Sequence, residues 1–241
     1  MAGDAPTRTM PVLAVTTSTT ARAPLEEPRV SLAVIAIAVS FGALGAAAER
    51  LASVWPPDEA GHRPPGIRTL LLAAASAAVG GALAARSQLP WWATAAHLVL
   101  VGLLVILTAT DLEQRRLPHR VLDPLVILAA GFVPFNPGVE PHLALIGAAA
   151  AVGFLGILAL VVRGGLAVGD LYLVAPIGLL VGWPSIFTAL FAAAFLAAGT
   201  SLVLLALRRV GLRSYIPFGP FLVGGAALTL LSDPRLLSVV R

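Results

Sequence analysis

The sequence predicts an all-α fold, a polytopic membrane helix bundle with about eight transmembrane helices. Hydrophobic residues make up 58% of the 241 residues and charged residues only 12%. A soluble domain is about 45–50% apolar and about one-quarter charged, so soluble and disordered classes are excluded. Mean hydropathy is +0.92. The apolar residues form continuous runs rather than alternating with polar ones, which favours spanning helices over a membrane β-barrel.

Eight apolar segments could each form a helix across the bilayer, which takes about 20 residues. The predicted spans are 30–48, 69–85, 91–110, 121–135, 142–162, 171–183, 184–207 and 216–232. The first, third, fifth and seventh are long, whereas the fourth and sixth are short. Stretches of small residues such as 148–151 and 192–194 should let neighbouring helices approach closely.

Residues 1–29 differ from the rest because they are rich in Thr, Ala and Pro and contain no long apolar run. They also lack the charged start, apolar centre and small-residue exit of a secretory signal. We expect a flexible N-terminal tail here, followed by two spans over residues 30–90 and a larger membrane domain over residues 91–241.

The arginines predict which side of the membrane each loop occupies. All 16 basic residues are arginine, and ten lie in loops that an eight-helix bundle places on one side. They are Arg50, Arg63, Arg68, Arg115, Arg116, Arg120, Arg163, Arg208, Arg209 and Arg213. Loops rich in Arg face the cytoplasm, which would put both termini outside. The net charge of +4 therefore indicates membrane orientation and not binding of nucleic acid.

Two aspartates near span ends need an explanation, because ionisable groups at membrane depth are costly and tend to be functional. Asp111 ends the third span and Asp170 begins the sixth, so both should lie at the cytoplasmic face. Two neighbouring carboxylates do not ionise together easily, so one can hold a proton while the other activates water. Gly169 would let the backbone approach a substrate. The structural alternative is that Asp170 caps a helix and Asp111 is solvated.

Other polar residues carry structural expectations. We expect Glu113 to be solvated, Asp123 to pair with Arg120 or cap its helix, and His97 to hydrogen-bond between helices. The histidines lack the spacing of metal ligands, so no metal site is predicted. The absence of cysteine excludes disulfides, thiolate zinc sites and cysteine nucleophiles. No pattern typical of a serine protease is present.

Three segments give the sequence a specific likeness to a known family. Residues 111–118 read Asp-Leu-Glu-Gln-Arg-Arg-Leu-Pro, residues 168–171 read Val-Gly-Asp-Leu, and residues 216–222 read Ile-Pro-Phe-Gly-Pro-Phe-Leu. In this order and spacing they resemble the motifs of the type IV prepilin peptidases, membrane aspartic peptidases with a Gly-x-Gly-Asp box. The resemblance covers roughly residues 95–232.

The resemblance implies a membrane endopeptidase that cleaves the leader of prepilin or pseudopilin substrates at the cytoplasmic face of the bacterial inner membrane. Asp111 and Asp170 would be its catalytic pair, and no cofactor or metal is implied. Further motif positions would shape the substrate site: Pro118, Gly169, Pro217, Gly219 and Pro220. Membrane lipids are the other expected partners, and the oligomeric state stays open.

The sequence also departs from the family pattern. Ala167 stands where the family's box begins with glycine, and Tyr172 where a lysine is common. The loop between the first two spans is short and lacks the family's zinc-binding cysteines, so N-methyltransferase activity is not expected. Two alternatives follow: an inactive relative or scaffold that binds a pilus or secretion-system partner, and a small transporter in which the aspartates carry protons.

Overall fold

A computed structural model of the protein describes residues 31–54, 63–161, 167–209, 211 and 216–239. These residues form eight α-helices and no strand, so the predicted all-α membrane bundle is confirmed. The helices are α1 (Leu32–Val54), α2 (Ile67–Arg86), α3 (Trp91–Gln114), α4 (His119–Phe132), α5 (Pro141–Val161), α6 (Val168–Val181), α7 (Ser185–Ala206) and α8 (Gly219–Ser232). The predicted tail, residues 1–29, lies outside the described residues, as do Arg163 and Arg213.

The helices fall into two length classes. Helices α1, α2, α3, α5 and α7 are long and apolar enough to cross a membrane. Helices α4, α6 and α8 have 14 residues each, which is about 21 Å and short of a bilayer core about 30 Å thick. The chain is therefore a multi-pass membrane protein in which three helices are shorter than a full span.

Two helices extend further toward the arginine-rich end than their apolar runs predict. Helix α1 continues to Val54 and α3 to Gln114, whereas the predicted spans end at 48 and 110. Polar residues end an apolar run without ending the helical backbone. Asp111 and Glu113 consequently lie within α3 rather than in the loop after it.

Small residues let the neighbouring helices pack closely, as predicted. A Cβ added at Gly178 of α6 would lie 2.5 Å from the Ala148 Cα of α5. Gly225 of α8 lies directly against the Ala189 carbonyl of α7, and Gly80 of α2 against the Phe41 ring of α1. Since lipid is as apolar as the protein, close packing of this kind drives helix association in membranes.

The pairing of α5 with α6 determines how deep α6 begins. The turn at Gly182, after α6, packs against Leu143 near the start of α5, and Leu171 in the first turn of α6 reaches Gly156. Helix α5 then continues to Val161, about 7 Å further along its axis. Asp170, one residue before Leu171, therefore lies about one turn deeper than the end of α5.

Candidate active site

Asp111 lies in the last turn of α3, just before the helix ends. Arg115 adopts a left-handed conformation with φ 54° and donates its backbone N–H to the Asp111 carbonyl at 2.9 Å. The Asp111 residue is buried, and its Oδ2 atom accepts no hydrogen bond from the described residues. A buried carboxylate oxygen without a partner is unusual in a folded protein and is typical of functional sites.

Asp170 lies in the first turn of α6 and is only 2% exposed. Its Oδ2 atom accepts a hydrogen bond from the Ala167 backbone N–H at 3.2 Å, which satisfies a free donor at the helix start. Asp170 is thus the third residue of α6 and bonds back to the N-cap residue Ala167, as the acid of a capping box does. This is a structural role of the kind that the alternative expects. This bond does not exclude a catalytic role for Asp170, because the residue lies at the same end of the bundle as Asp111.

The two aspartates are carried by helices of opposite chain direction, and both lie at the same end of the bundle. Helix α3 ends there, whereas α6 begins there, so neither aspartate is in the middle of a span. Helix α8 also begins there, and it packs against both α3 and α6. The arrangement forms a buried acidic pair between three helix ends, on the side that carries the arginine-rich loops.

Gly219, the first residue of α8, lies directly against Asp111. A Cβ added at this position would be 2.5 Å from Asp111 Oδ2 and 3.2 Å from Asp111 Cγ. Pro220 follows in the first turn of α8, where its missing N–H costs no hydrogen bond. It also lines a cavity of about 150 Å³ between α2, α3 and α8.

The other motif residues lie at the starts of helices around this end. Gly169 packs against Leu117, and a Cβ there would lie 3.1 Å from Leu117 Cδ1. Pro118 is the N-cap of α4. Pro217 is half-buried two residues before α8 begins. These residues set the backbone path at the site.

Ala167, the departure from the glycine-led box, has φ −82° and ψ 149°. This is extended backbone that any L-residue adopts, so alanine fits here without strain. Tyr172, the second departure, is half exposed, and its ring contacts the His119 ring edge to face at 5.8 Å between centroids. Asp123 Oδ1 lies 3.2 Å from His119 Nδ1, one turn earlier in α4.

Two structural expectations are wrong. Glu113 is not solvated: its side chain is 8% exposed and pairs with Arg63 and Arg68. His97 does not hydrogen-bond between helices, since its Nδ1 lies 2.9 Å from the Ala93 carbonyl one turn earlier in α3. Its ring also packs edge to face on Phe132. The Glu113 pairing has no local sequence signal, because Arg63 lies in a different part of the chain. The His97 bond lies within α3 and joins residues four apart.

Within the described ranges, no three His, Asp or Glu side chains cluster as a metal site would require. A groove of about 770 Å³ lies between α3 and α4, lined by apolar residues such as Trp92 and Phe135. It lies toward the start of α3, whereas Asp111 is at the end of that helix. The chemistry-bearing residues are therefore those at the helix ends around Asp111.

Comparison with known proteins shows which protein family this chain resembles. Residues 98–202, which contain both aspartates, match the type IV leader peptidase family. The predicted resemblance to the type IV prepilin peptidases is thereby confirmed for this part of the chain. No solved structure matches the chain significantly.

Particular relatives carry the same description, "Prepilin leader peptidase/N-methyltransferase". The protein of Bacillus subtilis is 29% identical over 140 residues, which cover 58% of this chain and 56% of the relative. That of Aeromonas hydrophila is 33% identical over 173 residues, covering 67% and 56%. That of Burkholderia pseudomallei is 33% identical over 158 residues, covering 62% and 51%. The chain thus spans about half the length of the curated relatives it matches.

Proposed function

We propose that the protein is a membrane aspartic endopeptidase that cleaves the leader peptide of prepilin-like or pseudopilin substrates at the cytoplasmic face of the bacterial inner membrane. The observation that carries the proposal is the buried pair of Asp111 and Asp170 at three helix ends. The family match, which includes both residues, supports the same reaction class. Such substrates serve pili or secretion systems.

In the proposed reaction the two carboxylates share one proton. The ionised carboxylate takes a proton from a water molecule, whose oxygen attacks the carbonyl carbon of the scissile peptide bond. The protonated carboxylic acid donates its proton as the C–N bond breaks, so the amine leaves neutral. Because the pair titrates as a unit, the acid and base roles belong to the dyad rather than to either residue.

Gly219 and Gly169 support the proposal through the close packing that they allow. Absence of a side chain at Gly219 lets the start of α8 lie directly against Asp111 Oδ2. Absence of one at Gly169 lets the start of α6 pack against Leu117. Pro118, Pro217 and Pro220 would shape the backbone wall along which an extended substrate lies. Proline is tolerated at these helix starts because their N–H groups need no intrahelical partner.

We propose peptidase activity without N-methyltransferase activity. The segment between α1 and α2 covers only residues 55–66, and the chain has no cysteine. A thiolate zinc site is therefore impossible.

The test is cleavage of prepilins from the same genome in membranes that contain the full chain. The intact protein should cleave, whereas Asp111→Asn and Asp170→Asn should insert normally and fail. Asp123→Asn is the matched control, because its side chain is 62% exposed and pairs with His119. Equal cleavage by all four proteins would make the dyad structural and overturn the mechanism.

An inactive relative that binds a pilus or secretion partner is the rival. Tyr172 favours it, because the family commonly has a lysine there. Ala167 does not, because its negative φ needs no glycine. Absence of cleavage by the intact chain with every matched prepilin would favour this rival.

A further inference from the structure

We propose that Glu113 is a positioning residue, which holds the last turn of α3 against the α1–α2 hairpin and so fixes the Asp111 carboxylate. The effect of Glu113 on catalysis rests on the proposed function. The effect of Glu113 on the placement of Asp111 can be tested independently of that function.

The end of α3 needs an external support. Asp111 is four residues from the left-handed Arg115 that ends the helix. The last four carbonyls of a helix have no intrahelical partner, so the final turn frays unless other groups hold it. A carboxylate on a fraying turn would not keep the sub-ångström placement that catalysis requires.

The Glu113 side chain supplies the first support. It is 8% exposed and pairs with Arg63, while Arg68 approaches its Oε2 at 3.9 Å. The Arg63 and Arg68 side chains are 40% and 61% exposed, so only the Glu113 carboxylate of this ion-pair cluster is buried. Removing the arginines would leave the buried Glu113 carboxylate without a partner, which is costly. The ion pair therefore resists separation of α3 from the α1–α2 hairpin.

Further bonds from the hairpin strengthen the same contact. Arg50 of α1 donates to the Arg63 carbonyl at 2.6 Å, which holds the backbone that carries the arginine. Gln114 of α3 donates to the Ala52 carbonyl of α1 at 2.9 Å. Thr69 of α2 donates to Glu49 of α1 at 2.7 Å. The two helices of the hairpin are thus joined to each other and to the final turn of α3.

Geometry separates the supporting face of α3 from the reacting face. Residues two apart in an α-helix point about 200° apart around the axis. Glu113 faces the hairpin and Asp111 faces Gly219 of α8. The Glu113 contact with the hairpin therefore lies on the opposite side of α3 from the Asp111 contact with α8.

The kinetic test compares Glu113→Gln and Arg63→Ala with the conservative variant Arg63→Lys in prepilin cleavage. We expect Glu113→Gln to lower kcat about tenfold with little change in KM. Arg63→Lys should recover most of the activity that Arg63→Ala loses. The matched control is Glu140→Gln, an exposed carboxylate at the start of α5 that pairs with His142. A purely structural role would reduce the amount of folded protein and leave kcat per folded molecule unchanged.

A second measurement does not depend on cleavage. The chain has no cysteine, so Asp111→Cys combined with Gly219→Cys creates a single thiol pair. A Cβ at position 219 would lie 3.2 Å from Asp111 Cγ, which brings the two Cβ atoms close to the separation of about 3.5–4.5 Å found in disulfides. At a fixed ratio of reduced to oxidised glutathione, adding Glu113→Gln should lower the fraction of molecules that carry this disulfide several-fold. Adding Glu140→Gln should leave that fraction unchanged.

The kinetic and disulfide measurements distinguish failure of the proposed function from failure of the positioning role of Glu113. If the intact chain cleaves no prepilin but Glu113→Gln lowers the disulfide fraction, the positioning role stands and the proposed function fails. If the intact chain cleaves and Glu113→Gln changes neither kcat nor the disulfide fraction, the positioning role is overturned. Should Glu113→Gln fail to fold, Arg63→Ala and Arg63→Lys give the same comparison with the carboxylate retained.

Discussion

Gly219 of α8 lies so close to Asp111 of α3 that any side chain at position 219 would overlap the carboxylate. The added Cβ would be 2.5 Å from Asp111 Oδ2. Glycine is therefore needed at position 219 because the Asp111 carboxylate leaves no room for a side chain. The backbone conformation of α8 does not itself require glycine there.

Gly219→Ala should lower prepilin cleavage about a hundredfold, because the methyl group must displace the Asp111 carboxylate or shift the start of α8. Gly199→Ala is the control, since a Cβ there meets nothing within 4 Å. Initial cleavage rates in membranes with equal amounts of inserted protein make the comparison. Near-normal cleavage by Gly219→Ala would show that Asp111 can move freely.

Asp170→Ala should destabilise the protein more than Asp170→Asn does, although both should abolish cleavage. Both substitutions remove the charge, but the Asn side-chain oxygen can still accept the Ala167 N–H. The expected difference in the free energy of unfolding is about 1 kcal/mol. Thermal unfolding in detergent measures it, and equal stability would mean that the cap contributes nothing.

Gly178→Ala should destabilise the α5–α6 pair. The added methyl would meet the backbone of Ala148, which has no flexible end to move aside. The expected cost is about 1–3 kcal/mol, typical of overpacking. Gly153→Ala of α5 is the control, because the space around it is open. A midpoint of thermal unfolding that matches the control would indicate a looser interface.

Ala167→Gly combined with Tyr172→Lys should not raise cleavage by more than a few-fold. Ala167 already has negative φ, so glycine adds only unfolded-state entropy and should cost about 0.4–1 kcal/mol. Tyr172 is half exposed and contacts His119 rather than either aspartate. Cleavage rates of the single and double variants provide the test. A large gain in an otherwise inert chain would instead support the inactive relative.

Much of this organisation can be predicted from the sequence because it depends on local patterns. Continuous apolar runs predict the eight helices to within several residues, and the motifs single out Asp111 and Asp170 by number. The polar ends of α1 and α3 lie beyond the predicted spans because hydropathy measures side-chain polarity and not backbone conformation. The Glu113 pairing was missed because Arg63 lies 50 positions away and nothing local links the two.

The recessed position of Asp170 has a consequence for any substrate of the proposed peptidase. Asp170 lies about one helical turn inside the end of α5, so under the proposed function a scissile bond would have to reach that level to be cut. A substrate whose apolar helix is anchored too high in the bilayer could not present the bond there. Under the proposed function, the number of residues between the cleavage point and the substrate's own membrane helix becomes a selection criterion, independent of the residues at the cut itself.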